Sequence, residues 1–430
     1  MKKFLVLILF LTLSINSSPW VSVEDISLRL KLDSLSLCEI NIPNISKFPY
    51  NLSNVYNEIE ELDLSKKTEK CQRLISELHD HIKESVNNSS FKIGFQSEGY
   101  EQKLQSFGDR QISSKNLFIE TEATSNNWSF KIRATKLENN HTKNLRFDES
   151  YISYTFNNKI ITLGRTSKWW SPSWEDSLIL SNNARPSVGL SFRNNLASSL
   201  DFPLLSFLGP LNYEIFINQL EEDRFIPKAK LVGAYVSFSP HSRFNFSLFR
   251  TGQIGGQGRP ENLKTLGNFI IGRDNTGTDG ISGNNEPGNQ LAGGDFSLRL
   301  TKDKNLEVFG QIVGEDQSNL VPTRTIYNLG LGYSFKSFEK SNKIIVEHTD
   351  TDVHTTYSGV KAVNIAYNHH IYRDGYRYYK KPIGASIDSD SQKSSLSYYQ
   401  EINSKSFVKV RLLKADINEN LNSKNYWGSL

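Results

Sequence analysis

The chain has 430 residues, 37% hydrophobic and 11% aromatic, with Phe 25, Tyr 18 and Cys 2, and a formal charge of +4. That length fits two or three domains or one large sheet. Two cysteines exclude a disulfide-dense scaffold, and the charge is too mild to point to nucleic acid. Beyond the first residues no apolar run is long enough for a membrane helix. A chain poor in hydrophobics yet rich in aromatics needs another architecture.

Met1-Lys2-Lys3, apolar Phe4 to Leu13 and small, polar Ser14 to Ser18 predict a secretory signal peptide over residues 1–18. The apolar run is short of the ~20 residues a spanning helix needs. Export exposes Cys38 and Cys71 to an oxidising compartment, where they are a candidate disulfide; two buried free thiols are the alternative.

Residues 19–90 read as a small helical domain. Cys71, Leu74, Ile75, Leu78, Ile82 and Val86 recur at helical spacing, and a shorter helix is expected from Asn51 to Leu62 behind Pro49. Ser27 to Cys38 is ambiguous. Leu28, Leu30 and Leu32 alternate as in a strand, while Leu28, Leu32 and Leu35 fit a helix.

From Phe91 onward the period is two. Apolar and polar residues alternate through Trp128–Ala134, Phe244–Leu248, Leu329–Lys336, Val363–Asn368 and Val408–Leu412. A soluble sandwich would show the same alternation in any one strand. About sixteen such segments with little helix between them are hard to bury that way. Apolar faces toward lipid and polar faces toward a wet lumen explain both the low hydrophobicity and the aromatic content. Backbone pairing in a bilayer then demands closure. The fold class is mainly β: a transmembrane antiparallel β-barrel over residues 91–430, with about 16–18 strands, in a bacterial outer membrane. Residues 252–294, rich in glycine, are expected as a long loop.

The most unusual segment runs from Leu163 to Trp174 and on through Ser177-Leu178-Ile179-Leu180-Ser181-Asn182-Asn183-Ala184-Arg185-Pro186. It resembles the signature of the Wzi-type capsule assembly proteins. Glu286–Asp295, Gly314-Glu315-Asp316, Tyr367–Tyr372, Gly375–Tyr378, Ile383-Gly384 and Asp388–Ser391 fit the same family, as do Leu28–Asp33 and Phe48-Pro49 near the start. The resemblance implies an outer-membrane barrel of about eighteen strands with a helical bundle on the periplasmic side. It implies a non-catalytic binder that attaches capsular polysaccharide or exopolysaccharide to the cell surface. Outer-membrane lipids and polysaccharide export machinery are the other expected partners. Asn425–Leu430 depart from the family, because they do not form a clean strand with a terminal aromatic.

A plug-like segment is expected around residues 166–187. Trp169, Trp170 and Trp174 could supply aromatic platforms for sugar faces. Asn182, Asn183, Arg165 and Arg185 could meet hydroxyls and carboxylates. The same residues have a structural reading, with tryptophans in an interfacial belt and arginines tying a plug to the wall. Lys131, Arg133, Lys336, Lys409 and Arg411 fall on the polar strand faces, where they either attract an acidic polymer or solvate the lumen. His348, Asp350, Asp352 and His354 share a strand face, but successive members stand ~6.6 Å apart, too far for one ion. No metal, cofactor or catalytic group is expected. The rival functions are a diffusion porin and a barrel-embedded hydrolase.

Overall fold

The computed structural model describes residues 20–418 apart from 41, 44, 61, 88, 98–102, 110–114, 126, 138–144, 200–201, 271–287, 302–304, 319–320, 338–339, 356–360 and 404–405. The expected signal peptide, the centre of the expected Gly-rich loop and Asn425–Leu430 lie outside the described residues.

Among the described residues, fifteen strands of six residues or more, with the two-residue segments Leu145–Arg146 and Lys361–Ala362, join one sheet that closes into a barrel. Consecutive strands pair antiparallel, from Ser90–Ser97 with Lys115–Thr124 through to Gln392–Asn403 with Ser406–Asp416. The period-two reading fixes the faces. Trp128, Phe130 and Ile132 point outward and exposed, while Ser129 and Arg133 are buried inward. Leu329, Leu331 and Tyr333 face out and Asn328 and Ser334 face in. An outer wall this apolar requires a non-aqueous surrounding. None of the described helices is long and apolar enough to cross a membrane.

The two ends differ. At one end tight connections such as Phe156–Lys159, His241–Phe244 and Ser337–Lys340 join the strands; at the other, long excursions leave after Gly164, Ile254 and Thr355. Outward aromatics gather near the short-turn end. Trp128 packs on Tyr154 with ring centroids 4.5 Å apart, Phe192 on Tyr213 at 6.1 Å, Phe238 on Phe246 at 5.0 Å and Tyr333 on Phe335 at 5.7 Å. This is the interfacial girdle of a membrane barrel.

Two expected elements take another form. Val363, Ile365 and Tyr367 do not lie on a barrel strand; the chain turns repeatedly there, and Ala366 and Tyr367 are wholly buried inside the barrel. Their alternation is a coincidence of packing, not of pleat. The expected loop over 252–294 contains the end of the strand Phe244–Ile254, a helix Leu263–Ile270, and the start of the strand Gly288–Arg299. Some of its glycines belong to the wall: a Cβ on Gly293 would lie 2.0 Å from the Ile312 carbonyl oxygen of the neighbouring strand.

The N-terminal segment divides in two. Helices α1 (Ile26–Leu35), α2 (Leu52–Glu60) and α3 (Glu69–Asn87) all form. Asp25 caps α1 by accepting the Leu28 N–H at 2.9 Å. Every residue of α1 is buried, Arg29, Lys31 and Asp33 included, because the helix packs inside the short-turn end of the barrel. This explains why no polar face could be read from its sequence. Asp33 meets Lys343 of the wall, Lys343 also reaches Glu307 at 3.2 Å, and Lys31 reaches Glu401 at 3.3 Å. The described residues of 20–51 are therefore stitched into the barrel, while α3 meets the wall at Lys336 and α2 packs on α3. Cys38 and Cys71 are joined by a disulfide, which ties the end of α1 to the start of α3.

Thiol titration of the exported protein under denaturing, non-reducing conditions should find no free thiol. The 33-residue separation implies that reduction costs about 3–4 kcal/mol in the chain-entropy model. Asp33→Ala should destabilise the barrel by about 3 kcal/mol by leaving the buried Lys343 ammonium with Glu307 as its one remaining carboxylate partner among the described residues. The double variant Asp33→Ala/Lys343→Met should recover much of that loss in heat-dependent gel migration.

Candidate functional site

Two chain segments leave the wall at the long-loop end and fill the lumen: 165–187, and the described residues of 356–391. A third, around residues 103–109, packs beside them. They are gripped through their backbones. Glu347 of the strand Lys340–Thr355 accepts the N–H groups of Trp174 at 2.7 Å and Glu175 at 3.1 Å, and the Ser173 hydroxyl. Gln311 donates to the Trp170 carbonyl at 2.7 Å and accepts the Leu178 N–H at 2.6 Å. Trp169–Trp170 pair antiparallel with Lys47–Phe48 of the N-terminal segment.

The three plug tryptophans are each 0–1% exposed. Trp169 donates to the Ser173 carbonyl and stands edge-on to Phe107. Trp174 packs on Phe107 and Tyr399, with the Arg29 guanidinium 4.0 Å from its ring. Trp170 points the other way, edge-on to Phe216 and Tyr235. They enter two different cores and leave no open face for a sugar, so the sequence reading of them as sugar platforms is not retained. Asn182 donates to the carbonyls of Ser106 and Asp109, and Asn183 to that of Pro382, so both join the plug segments to one another. The inward cations are also committed. Lys131 pairs with Glu120, Arg133 with Glu24, Lys409 with Asp109 and Arg411 with Glu175, while Lys336 donates to the Lys70 carbonyl. Asp350 and Asp352 both accept from Gln392.

Only Arg165 and Arg185 among the expected candidates reach a partly open surface, and they reach the same one. Arg165 approaches the Tyr378 hydroxyl at 3.4 Å. Arg185 holds Asp148 through two hydrogen bonds of 3.0 and 2.8 Å and stands 5.2 Å from the Tyr379 ring. Burial opposes its charge, and the Asp148 carboxylate outweighs that, raising its pKa. Clefts open on both sides of Arg185, one lined by Arg146, Asp148 and Glu149, the other by Lys168, Asn218 and Tyr378.

Beside them stands a hairpin that sequence reasoning missed. Arg377–Tyr378 pairs with Lys381–Pro382, and its two turn residues, Tyr379 and Lys380, have φ of 48° and 65°. This primed turn ordinarily takes Asn or Gly. Left-handed backbone costs other residues roughly 1–2 kcal/mol each, and such strain persists where the surroundings enforce it. Here Glu221 accepts the Tyr379 N–H at 3.1 Å, Arg224 donates to the Arg377 carbonyl, and Arg377 grips Asp388. Burial pushes the Glu221 carboxyl up, and burial beside His370 and Arg259 lowers His369 to about 4. The result is a rigid tip that presents an exposed aromatic ring and ammonium groups next to two arginines. The only sequence signal was the basic-aromatic run Tyr376–Lys381, with no turn residue to mark a hairpin.

The family described as Capsule assembly protein Wzi matches residues 87–425, well over half of the chain. The chain belongs to the Wzi capsule assembly family. Its fold is similar to that of Wzi from Escherichia coli, described as an outer membrane protein involved in group 1 capsule assembly and a carbohydrate-binding β-barrel. The TM-score is 0.79 at 24% identity, covering 94% of this chain and 87% of that one. An uncharacterised 55.8 kDa protein in the cps region of Klebsiella pneumoniae is 28% identical over 315 residues, 72% of this chain. The match spans 61% of that relative's length, less than two thirds. The plug segment read from the sequence lies within the matched region, and its tryptophans build the lumen core.

Trp174→Ala should cost about 3–5 kcal/mol by leaving a cavity between Phe107 and Tyr399. The expected readout is lower heat stability and raised single-channel conductance in a barrel that still inserts. Unchanged stability would contradict the core role.

Proposed function

We propose that this barrel sits in the outer membrane and binds a capsular or other surface polysaccharide, without catalysis, during capsule assembly. Short turns lie on the periplasmic side of outer-membrane barrels and long loops outside. That rule puts α2 and α3 on the periplasmic side, α1 inside the periplasmic end of the barrel and the Tyr379 tip at the outer mouth. Polysaccharide export machinery would meet the α2–α3 end. The carbohydrate binding described for the Escherichia coli family member supports this reading.

The observation that carries the proposal is a filled lumen with a cationic, aromatic rim. A diffusion porin needs a continuous water path, whereas Trp169, Trp170, Trp174, Tyr367 and Tyr376 occupy the barrel interior at 0–1% exposure. At the rim, Tyr379 offers a ring for the apolar face of a sugar. Arg165, Arg185, Lys380 and Lys381 offer donors for hydroxyls and uronic-acid carboxylates. Asn182, Asn183 and the plug tryptophans hold that rim in place from below.

The test is Tyr379→Ala with Lys380→Ala. Each contact is worth about 1–3 kcal/mol, or roughly five- to a hundred-fold in affinity. Avidity along a repeating polymer masks the smaller losses, which is why both residues are changed. The variant should release polysaccharide from cells into the medium while its heat-dependent gel migration stays that of a folded barrel. Full retention of cell-bound polysaccharide by the folded variant would refute this site.

A further inference from the structure

The connection between the strands Val188–Asn194 and Leu211–Gln219 differs from the other short-turn connections. Residues 202–208 read Phe-Pro-Leu-Leu-Ser-Phe-Leu and carry no charge. Phe202, Leu204, Leu205 and Phe207 are 54%, 75%, 39% and 69% exposed. The loop is not slack. Leu205 N–H donates to the Phe202 carbonyl at 2.8 Å, Leu208 N–H to Leu205 at 3.0 Å, and Gly209 N–H to Ser206 at 3.2 Å. The Ser206 hydroxyl satisfies the Pro203 carbonyl at 3.0 Å. At its return, Ser239 N–H donates to the Pro210 carbonyl at 3.0 Å. Gly209 has φ +68°, and a Cβ there would lie 2.2 Å from the Ser239 carbonyl, so the loop is seated against the strand Lys230–His241.

Two properties point to one occupant. First, the loop continues the lipid-facing surface. It leaves the wall next to the outward pair Phe192 and Tyr213 of the aromatic girdle, above the exposed Leu190, Ile215 and Ile217. Second, the carbonyls of Phe202, Pro203, Leu205 and Ser206 and the N–H groups of Leu205, Leu208 and Gly209 are bonded within the loop, which lowers the cost of placing it among acyl chains. A loop working in water has no need of either property, and four large apolar side chains there form an aggregation hazard.

We infer that residues 202–208 insert into the near leaflet of the bilayer as a fixed interfacial anchor, extending the barrel's apolar belt beyond its strands. The partner is the lipid surface at the acyl–headgroup boundary. The anchor resists tilting of the barrel and keeps the helical end oriented to the membrane plane. This holds independently of what the opposite mouth binds.

The disulfide between Cys38 and Cys71 permits labelling of one added cysteine. A nitroxide on Leu204→Cys, in protein reconstituted into phosphatidylethanolamine–phosphatidylglycerol vesicles, is compared with belt position Leu331→Cys and loop position Glu222→Cys. The expected result is a ratio of oxygen to nickel-chelate accessibility near that of Leu331→Cys and several-fold above that of Glu222→Cys. Greater access to the nickel chelate would place the loop in water and overturn the inference. Protection from both reagents would place it against a second copy of the chain and equally overturn it. Phe207→Cys gives the same reading should Leu204→Cys fail to show the heat-dependent migration of a folded barrel.

Discussion

A charged side chain on the inner wall of a filled barrel has no bulk water to turn to, so the filling must meet it. Most features of this molecule follow from that constraint. Lys393 meets Asp176 of the plug, Lys47 meets Asp295 of the wall at 2.6 Å, and Lys343 meets Asp33 of α1. Glu347 has no cation as its main partner; it is satisfied by backbone N–H groups of Trp174 and Glu175. Removing one side of such a pair leaves an uncompensated charge in a low dielectric. Wall and plug therefore hold each other in a single arrangement.

The same bonds make the N-terminal segment part of the barrel. Arg29 donates to the carbonyls of Pro172 and Ser173, 143 and 144 residues away, and lies over the rings of Phe107 and Trp174. Burial lowers its pKa to about 10, which leaves it charged at neutral pH. One guanidinium thus joins α1, the main plug and the 103–109 segment. The disulfide between Cys38 and Cys71 adds a covalent tie from this assembly to α3.

With the interior committed to holding itself together, the rim is the surface left for the polysaccharide binding proposed above. The Arg377–Pro382 hairpin is well suited to it. Its strained tip is braced by Glu221, Arg224 and Asp388, so its backbone has little entropy left to lose on binding. The opposite end has a different character, with an aromatic girdle, an apolar loop and the N-terminal helices.

Alternation determined the barrel: apart from Val363–Tyr367, the apolar positions from Trp128 to Leu412 read as outward-facing are outward-facing, because the pleat is local and lipid tolerates only one kind of face. The helical spacing of α3 and the family signature around Trp169–Pro186 were equally legible. Tertiary structure decided what depends on who fills the lumen. Ser27 to Leu35 fits strand and helix alike until the barrel mouth buries all its faces as α1. Val363 to Tyr367 has the period of a strand, but the plug, not a neighbouring strand, supplies its contacts. The tryptophans could stand at a surface or in a core by composition alone; distant segments at Phe107 and Tyr399 enclose Trp169 and Trp174, and Phe216 and Tyr235 enclose Trp170. The Tyr379–Lys380 turn carries no turn residue in the sequence because its left-handed backbone is imposed by residues up to 158 positions away, not by a local Asn or Gly.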